Sequence, residues 1–532
     1  MIKNQVFTGE CIDYTYDGMG VVRYDNFPFF VKDMIVGEKG QIIITKLLKD
    51  YGYGKLLKLE ETSPQRVTPT CPVSRQCGGC QLQHMSADEQ ARFKQNTFRN
   101  ALKRIGGLDC EVREILRAEK PFGYRNKVQL PVRQGKNGEL ITGFYRVNSH
   151  DIIPVEHCYL QSEAANDLIN RIKDIISEHD VSKYIRHIVI KEFEATGETM
   201  VVLVTNALRV PLVEDIGRLI GRENRVKSVI QNINDEDTNV VLGKRERVLY
   251  GSDHVRDSLD GLLFEIACHS FYQVNSRQTS VLYNTAIKMA DLNGNDTVMD
   301  LYCGVGTIGL FASRYVKKVL GVEIVESAII NARRNAEING ITNAEFVCGD
   351  VEKTIEGNRE HIDVIFVDPP RKGCSRKTID SIVRIAPERL VYVSCNPATL
   401  ARDLKILGEE GYEVKAVQPV DMFPQTHHVE TVCLLSKLSE AKHRISVQVD
   451  MDELDLTAAE SKATYEEIQE WVKEEYGFHV THLNIAQVKR KHGIIERENY
   501  YKAKSPDSKQ PGCPEEKVKA IEAALKHFQM IE

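Results

Sequence analysis

Cys395 lies in Val391-Tyr392-Val393-Ser394-Cys395-Asn396-Pro397, a β-rich run that stops at a thiol because proline cannot continue a strand. A thiol at the carboxyl edge of a strand is a candidate nucleophile, since open α/β sheets bind ligands along that edge. Glu430 closes the run Phe423-Pro424-Gln425-Thr426-His427-His428-Val429-Glu430, just ahead of the apolar stretch TVCLLS at 431–436. Its carboxylate can act as a base if burial raises its pKa toward the working pH, and His427 and His428 compete for that role. A lone cysteine is more often a buried core thiol. What weighs against that reading here is the ordered set of motifs around it.

The segment Asp300-Leu-Tyr-Cys-Gly304-Val-Gly306-Thr-Ile-Gly309 follows a strand-like run and opens a helix-like one, and Glu323 ends the next strand. Glycines allow a tight turn and close approach of backbone to ligand, while the carboxylate can accept both hydroxyls of a ribose. Taken alone, this fits a dinucleotide or S-adenosylmethionine. Asp300 at a strand end, Asp350 after Glu345–Gly349 and Asp368-Pro369-Pro370 after Ile362–Val367 tilt the choice to S-adenosylmethionine. The ordered set resembles the Rossmann-like methyltransferase pattern.

Cys71, Cys77 and Cys80 are spaced C-x5-C-x2-C with Gly78-Gly79 at the turn, and Cys158 follows far downstream. Four thiolates suit a [4Fe–4S] cluster. Zinc held by four cysteines, or by three with His84 or His157, is chemically as good a reading.

DPPRKG at 368–373, SCNP at 394–397 and FPQTHHVE at 423–430, in that order after the glycine loop, closely resemble the RNA uracil-5-methyltransferase family. The resemblance implies that Cys395 is the nucleophile and Glu430 the base. It puts Gln273 (in FYQVN, 271–275), Tyr302, Thr307, Glu323, Asp350 and Asp368 on cofactor-binding positions. It favours a structural [4Fe–4S] cluster over zinc at Cys71, Cys77, Cys80 and Cys158. The chemistry implied is addition of a thiolate to carbon 6 of uracil, which turns carbon 5 into a nucleophile for the methyl of S-adenosylmethionine. The substrate expected is a uridine of structured RNA, namely 23S ribosomal RNA, flipped toward Cys395. The alternatives are transfer RNA, a catalytically silent RNA-binding protein of ribosome assembly, and a nicotinamide-dependent oxidoreductase supported only by the glycine pattern.

These residues need a scaffold, and 532 residues are too many for one core. Residues 1–60 alternate short β-rich runs with turns at Asp17-Gly18 and Gly37, and resemble the OB-like TRAM barrel. Residues 61–260 read as a central α+β domain carrying the cysteine cluster. Residues 261–440 alternate helix and strand, which favours a parallel sheet wrapped by helices, the Rossmann-like methyltransferase domain. Residues 441–532 are expected to form a small α/β appendage of unassigned role. No long apolar stretch or apolar N-terminal segment is present, so a cytoplasmic protein without a membrane partner is expected. The net charge of −6 gives no global sign of a nucleic-acid partner, and DNA is not expected. Locally, His84–Arg146 holds thirteen Lys/Arg against seven Asp/Glu, an excess that suits phosphates or merely a solvated helix face.

Overall fold

The computed structural model describes residues 1–135, 139–147, 149–236, 239–357, 360–438, 465–492 and 513–528. The chain divides into two compact units, Met1–Ser439 and Glu440–Glu532.

The first unit opens with strands β1 (Val6–Tyr14), β2 (Gly20–Tyr24), β3 (Phe27–Val31), β4 (Lys39–Leu47) and β5 (Gly52–Glu61), closed into a barrel in the order β1-β2-β3-β5-β4. Alternate residues point inward, so Phe7, Cys11, Val22, Phe29, Val31 and Ile42 fill the interior. Closure leaves no free strand edge. Helix α1 (Ala87–Ala101) starts at Ser86, whose hydroxyl accepts from the Glu89 N–H, and Phe93 on its inner face packs with Ile35, Leu82 and Met85 to join helix to barrel.

Strands β6 (Lys127–Gln134), β7 (Leu140–Tyr145), β8 (Ile152–Pro154), β9 (Ile185–Phe193), β10 (Glu198–Thr205), β11 (Val226–Ile233) and β12 (Arg245–Gly251) form one sheet in the order β12-β11-β10-β9-β6-β7-β8. Helices α2 (Glu163–Glu178) and α3 (Val213–Gly221) cover it through Ile172, Ile176, Ile216 and Ile220. A hairpin, β13 (His254–Leu259) and β14 (Leu262–Ala267), then leads to α4 (Ser276–Ala290).

From there helix and strand alternate: β15 (Thr297–Leu301), α5 (Thr307–Ala312), β16 (Lys318–Glu323), α6 (Glu326–Ile338), β17 (Ala344–Cys348), α7 (Val351–Gly357), β18 (Val364–Val367), α8 (Arg376–Ile385), β19 (Arg389–Ser394) and α9 (Pro397–Glu409). Strands β20 (Tyr412–Val420) and β21 (Glu430–Lys437) complete a sheet in the order β17-β16-β15-β18-β19-β21-β20. The first five are parallel and β21 runs antiparallel between β19 and β20, so the sheet is mixed rather than all parallel. Chain direction reverses outward from β15, and the crevice between β15 and β18 is the switch point where such sheets bind ligands.

The second unit departs from expectation. In place of an α/β appendage, its described residues form helices α10 (Tyr465–Tyr476), α11 (His482–Lys491) and α12 (Glu515–His527) and no strand. The reason is visible in the spacing of its core, Ile468 with Val472, Ile485 with Val488 and Ile521 with Leu525, which is the three-to-four repeat of a helix. Pro506-containing residues 504–514, which the sequence leads one to expect as a loop, lie mostly outside the described residues. Among the described residues no helix is long and apolar enough to cross a membrane.

Candidate active site

Every acidic residue of the glycine-loop region sits at a strand's carboxyl end. Asp300, in β15, is fully enclosed; its Oδ2 accepts from the Gly309 N–H at 2.8 Å and its Oδ1 has no protein partner. Burial, with the Asp368 and Glu323 charges adding to it, pushes its pKa up to about 8. Tyr302 adopts φ +62°, a strained conformation for a side chain with a Cβ, and its hydroxyl lies 3.3 Å from Thr378 Oγ1. Gly304 N–H donates to Glu323 Oε2 at 3.2 Å, tying the loop to the end of β16. Gly306 has φ +83°, and a Cβ there would stand 2.8 Å from the Phe346 ring, so only glycine fits.

Thr307 Oγ1 lies 3.4 Å from the Tyr283 hydroxyl, and Asp350 caps α7 by accepting from the Lys353 N–H. Asp368, following β18, is pushed up to about 7 by burial. Gln273 is buried, and its backbone carbonyl is held by Asn126 Nδ2 at 2.9 Å. Tyr302, Glu323, Asp350 and Asp368 therefore cluster along the ends of β15 to β18, with Thr307 at the start of α5. This edge offers carboxylates for hydroxyl, amino and cationic groups of a ligand. Tyr283 of α4 is a buried residue of this region that sequence reasoning passed over; the charges of Asp368, Asp300 and Glu430 all act on its hydroxyl. Nothing in a helical Tyr marks it beforehand.

The nucleophile and base candidates meet through strand register. Ser394, the last residue of β19, pairs with Thr431 of β21, so the next residue on each side brings Cys395 alongside Glu430. Ser394 Oγ accepts from the Asn396 N–H, Asn396 Oδ1 accepts from the Ala398 N–H to start α9, and Pro397 occupies the first helical turn. Cys395 thus stands at the N-terminus of a helix, whose partial positive charge favours a thiolate. Burial and the charges of Glu430 and Asp368 oppose this and lift the thiol to about 11, while Arg371 pulls it down. Glu430 is 4% exposed, and burial plus Asp368 carry its pKa well above the carboxylate range, with Arg371 again opposing.

Burial and neighbouring cations push His428 down to about 3, and burial lowers His427 too, which leaves both as poor bases. Arg371→Ala removes the one cation that favours both charged forms. The rising limb of the pH dependence of kcat/KM should then move to higher pH, and an unmoved limb would remove Arg371 from the site.

The loop between β20 and β21 is gripped from several sides. Lys94, fully buried, donates to Asp421 Oδ1 at 2.5 Å and to the Phe423 carbonyl at 2.9 Å. Gln90 Oε1 accepts from the Gln425 N–H, the Tyr124 hydroxyl donates to the Pro424 carbonyl, and the N–H groups of Gln81 and Leu82 both donate to the Gln425 carbonyl. A cleft of about 1070 Å³ opens over Cys395, with His427 and His428 on one wall, Arg92 and Arg104 of the α1 segment on another, and Ile12 and Tyr16 of the barrel at its mouth.

Cys71, Cys77, Cys80 and Cys158 line a separate cavity of about 280 Å³, with Gln83 and His157 beside them. Burial lifts Cys80 to about 12 and raises Cys77 and Cys158, so thiolates here need a cation to compensate them.

Comparison with known proteins gives the family. Residues 87–438 match the family described as tRNA (uracil-5-)-methyltransferase. A protein of Bacillus cereus described as an RNA methyltransferase is 44% identical over 454 residues, covering 82% of this chain and 98% of that protein. One from Clostridium acetobutylicum with the same description is 46% identical over 453 residues, again 82% of this chain and 98% of its own length. Among solved structures, the Pyrococcus abyssi tRNA (uracil-54, C5)-methyltransferase in complex with S-adenosyl-L-homocysteine superposes with a TM-score of 0.66 at 30% identity, covering 81% of this chain and all of that one.

Proposed function

From the premise that this chain belongs to the tRNA (uracil-5-)-methyltransferase family and is an S-adenosylmethionine-dependent RNA uracil-5-methyltransferase, we propose that it methylates a uridine of 23S ribosomal RNA, with Cys395 as nucleophile and Glu430 as base. The observation that carries the residue roles is the register pairing Ser394 with Thr431, which sets a thiol and a buried carboxylate side by side above a cleft. Cys395 Sγ adds to carbon 6 of the flipped uracil, and the electron pair of the C5–C6 bond moves toward the O4 carbonyl. Carbon 5 then takes the methyl from the sulfonium, whose S–CH3 bond breaks with its electrons to leave S-adenosylhomocysteine. Glu430 accepts the carbon 5 proton, the C5–C6 double bond reforms and the thiolate departs. Tyr302, Thr307, Glu323, Asp350, Asp368 and Gln273 bind the methyl donor, their carboxylates complementing its positive charge.

The closed barrel and the four-cysteine cavity support the ribosomal substrate, because both extend the surface beside the cleft. We assign Cys71, Cys77, Cys80 and Cys158 to a [4Fe–4S] cluster that braces this surface; the set of four thiols around one cavity fits it. Anaerobically purified protein should hold about four irons per chain, and Cys80→Ser should lose them. A transfer-RNA substrate is the second reading, favoured by the solved relative that acts on tRNA. Incubation with labelled S-adenosylmethionine and unmodified ribosomal or transfer RNA, followed by nucleoside analysis, decides between them. 5-Methyluridine in 23S RNA supports the first reading, its appearance only in tRNA selects the second, and no 5-methyluridine in either turns the protein into a silent assembly factor.

A further inference from the structure

We propose that Glu246, Cys268 and His269 form a second metal site, distinct from the four-cysteine cavity, that takes a thiophilic divalent cation of the zinc class. The ligand atoms of these three residues all lie within 4.8 Å of one another. They come from two separate elements: Glu246 from β12, an edge strand of the central sheet, and Cys268 and His269 from the turn that follows β14. Cys268 is 1% exposed, whereas Glu246 and His269 are open to solvent, so the trio has a buried sulfur and an accessible entry side.

One edge of the trio has the length that a coordination polyhedron needs. Glu246 Oε2 and His269 Nε2 are 3.3 Å apart. Two donors each about 2.0–2.1 Å from a tetrahedral zinc lie roughly 3.3–3.4 Å from one another, and the longer bond of about 2.3 Å to sulfur widens the other edges slightly. A mixed sulfur, nitrogen and oxygen set selects zinc-like ions over calcium or magnesium, which take oxygen. Three protein ligands leave the fourth position to water. On binding, the Cys268 thiol releases its proton to solvent and His269 enters as neutral imidazole; the thiolate and carboxylate then balance the two positive charges. The Asn232 Nδ2 group lies 3.4 Å from His269 Nε2, a contact the ring gives up when that nitrogen ligates a metal.

The backbone around Cys268 is already fixed. Lys191 Nζ donates to the carbonyls of Ala267, Cys268 and Ser270 at 2.7, 2.9 and 3.1 Å, so its protons are committed away from the sulfur. Burial and the Glu246 charge lift the Cys268 thiol to about 12, while Lys191 and Lys127 pull it down toward the thiolate that a metal would take. A metal here would clamp the edge strand to the turn that runs on into Gln273.

The test is cobalt(II) titration of the full-length protein, anaerobically purified, read by absorbance and by metal content per chain. Cobalt should enter with a near-ultraviolet thiolate charge-transfer band that Cys268→Ser abolishes, that His269→Ala weakens at least about tenfold in affinity, and that Cys80→Ser leaves in place. His269 is at the surface, so its variant keeps the test open if Cys268→Ser folds poorly. A band that survives in both Cys268→Ser and His269→Ala, that disappears in Cys80→Ser, or that never forms in the wild type overturns the proposal. The outcome is independent of the methyl-transfer reading, since no RNA or methyl donor is in the assay.

Discussion

Replacing Cys395 with alanine is expected to lower methyl transfer to uridine by at least about four orders of magnitude while leaving S-adenosylhomocysteine affinity within about twofold of wild type. The two effects separate because Cys395 stands beyond the last paired residue of β19, outside the cluster of Tyr302, Glu323, Asp350 and Asp368. Losing its sulfur also opens no core cavity, since Cys395 is only half-buried and the packing below it is made by Val391 and Val393. Carbon 5 of uracil does not attack a methyl group until something adds to carbon 6, and no other thiol lines the cleft over Cys395. Radiolabel transfer and calorimetry on the same preparation measure both quantities. A residual rate above a hundredth of wild type would mean that Cys395 is not the nucleophile.

Glu430→Gln should give a different result: the methyl reaches carbon 5, but the product stays on the protein. Glutamine nearly preserves shape yet cannot take the carbon 5 proton, so the Cys395–C6 bond persists and a protein–RNA adduct should survive denaturing electrophoresis. Turnover should fall by about three orders of magnitude or more, with single-turnover methylation far less affected. The pH dependence has a definite sign. Glu430 must be ionised to act, and burial with Asp368 raises its pKa well above 4.5, so its active fraction grows with rising pH and is lost as pH falls. The Cys395 thiol, lifted to about 11, also gains its reactive form with rising pH. Turnover should therefore climb across the neutral range. A rate that is flat there, or an adduct-free Glu430→Gln, would reassign the base.

The chemistry of this protein was easier to read from sequence than its geometry. Strands at 297–301, 318–323, 344–348, 389–394 and 412–420 were legible because short β-rich runs alternate with helical spacing, and the glycine loop was legible because φ +83° at Gly306 demands its residue type. What could not be read was the antiparallel insertion of β21 between β19 and β20, since register and strand order depend on contacts far apart in sequence. Glu430 was expected ahead of the last strand, yet it is that strand's first residue.

Charge counting carried less than it promised, for a related reason. The basic excess around α1 includes Lys94, which is fully buried against Asp421, while Arg92 and Arg104 line the cleft, so the count alone does not say which cations can meet a phosphate. Among the described residues of the second unit only helices stand where strands were also expected; these helices are short and separated by polar stretches that hide their period.

The grip on the loop from Phe423 to His428 has a consequence for how the site can change over generations. Its anchors reach mostly to main-chain groups: the carbonyls of Phe423, Pro424 and Gln425 and the Gln425 N–H. Main-chain atoms are common to nearly every residue type, so the position of Glu430 is insured against most substitutions in the loop itself. His427 and His428, which face the cleft, can drift to suit a new RNA without loosening Glu430 beside Cys395. Innovation in what is recognised is thereby uncoupled from conservation of what is done, and the mutations that disable the protein should concentrate in the anchors Gln90, Lys94 and Tyr124 rather than in the loop they hold.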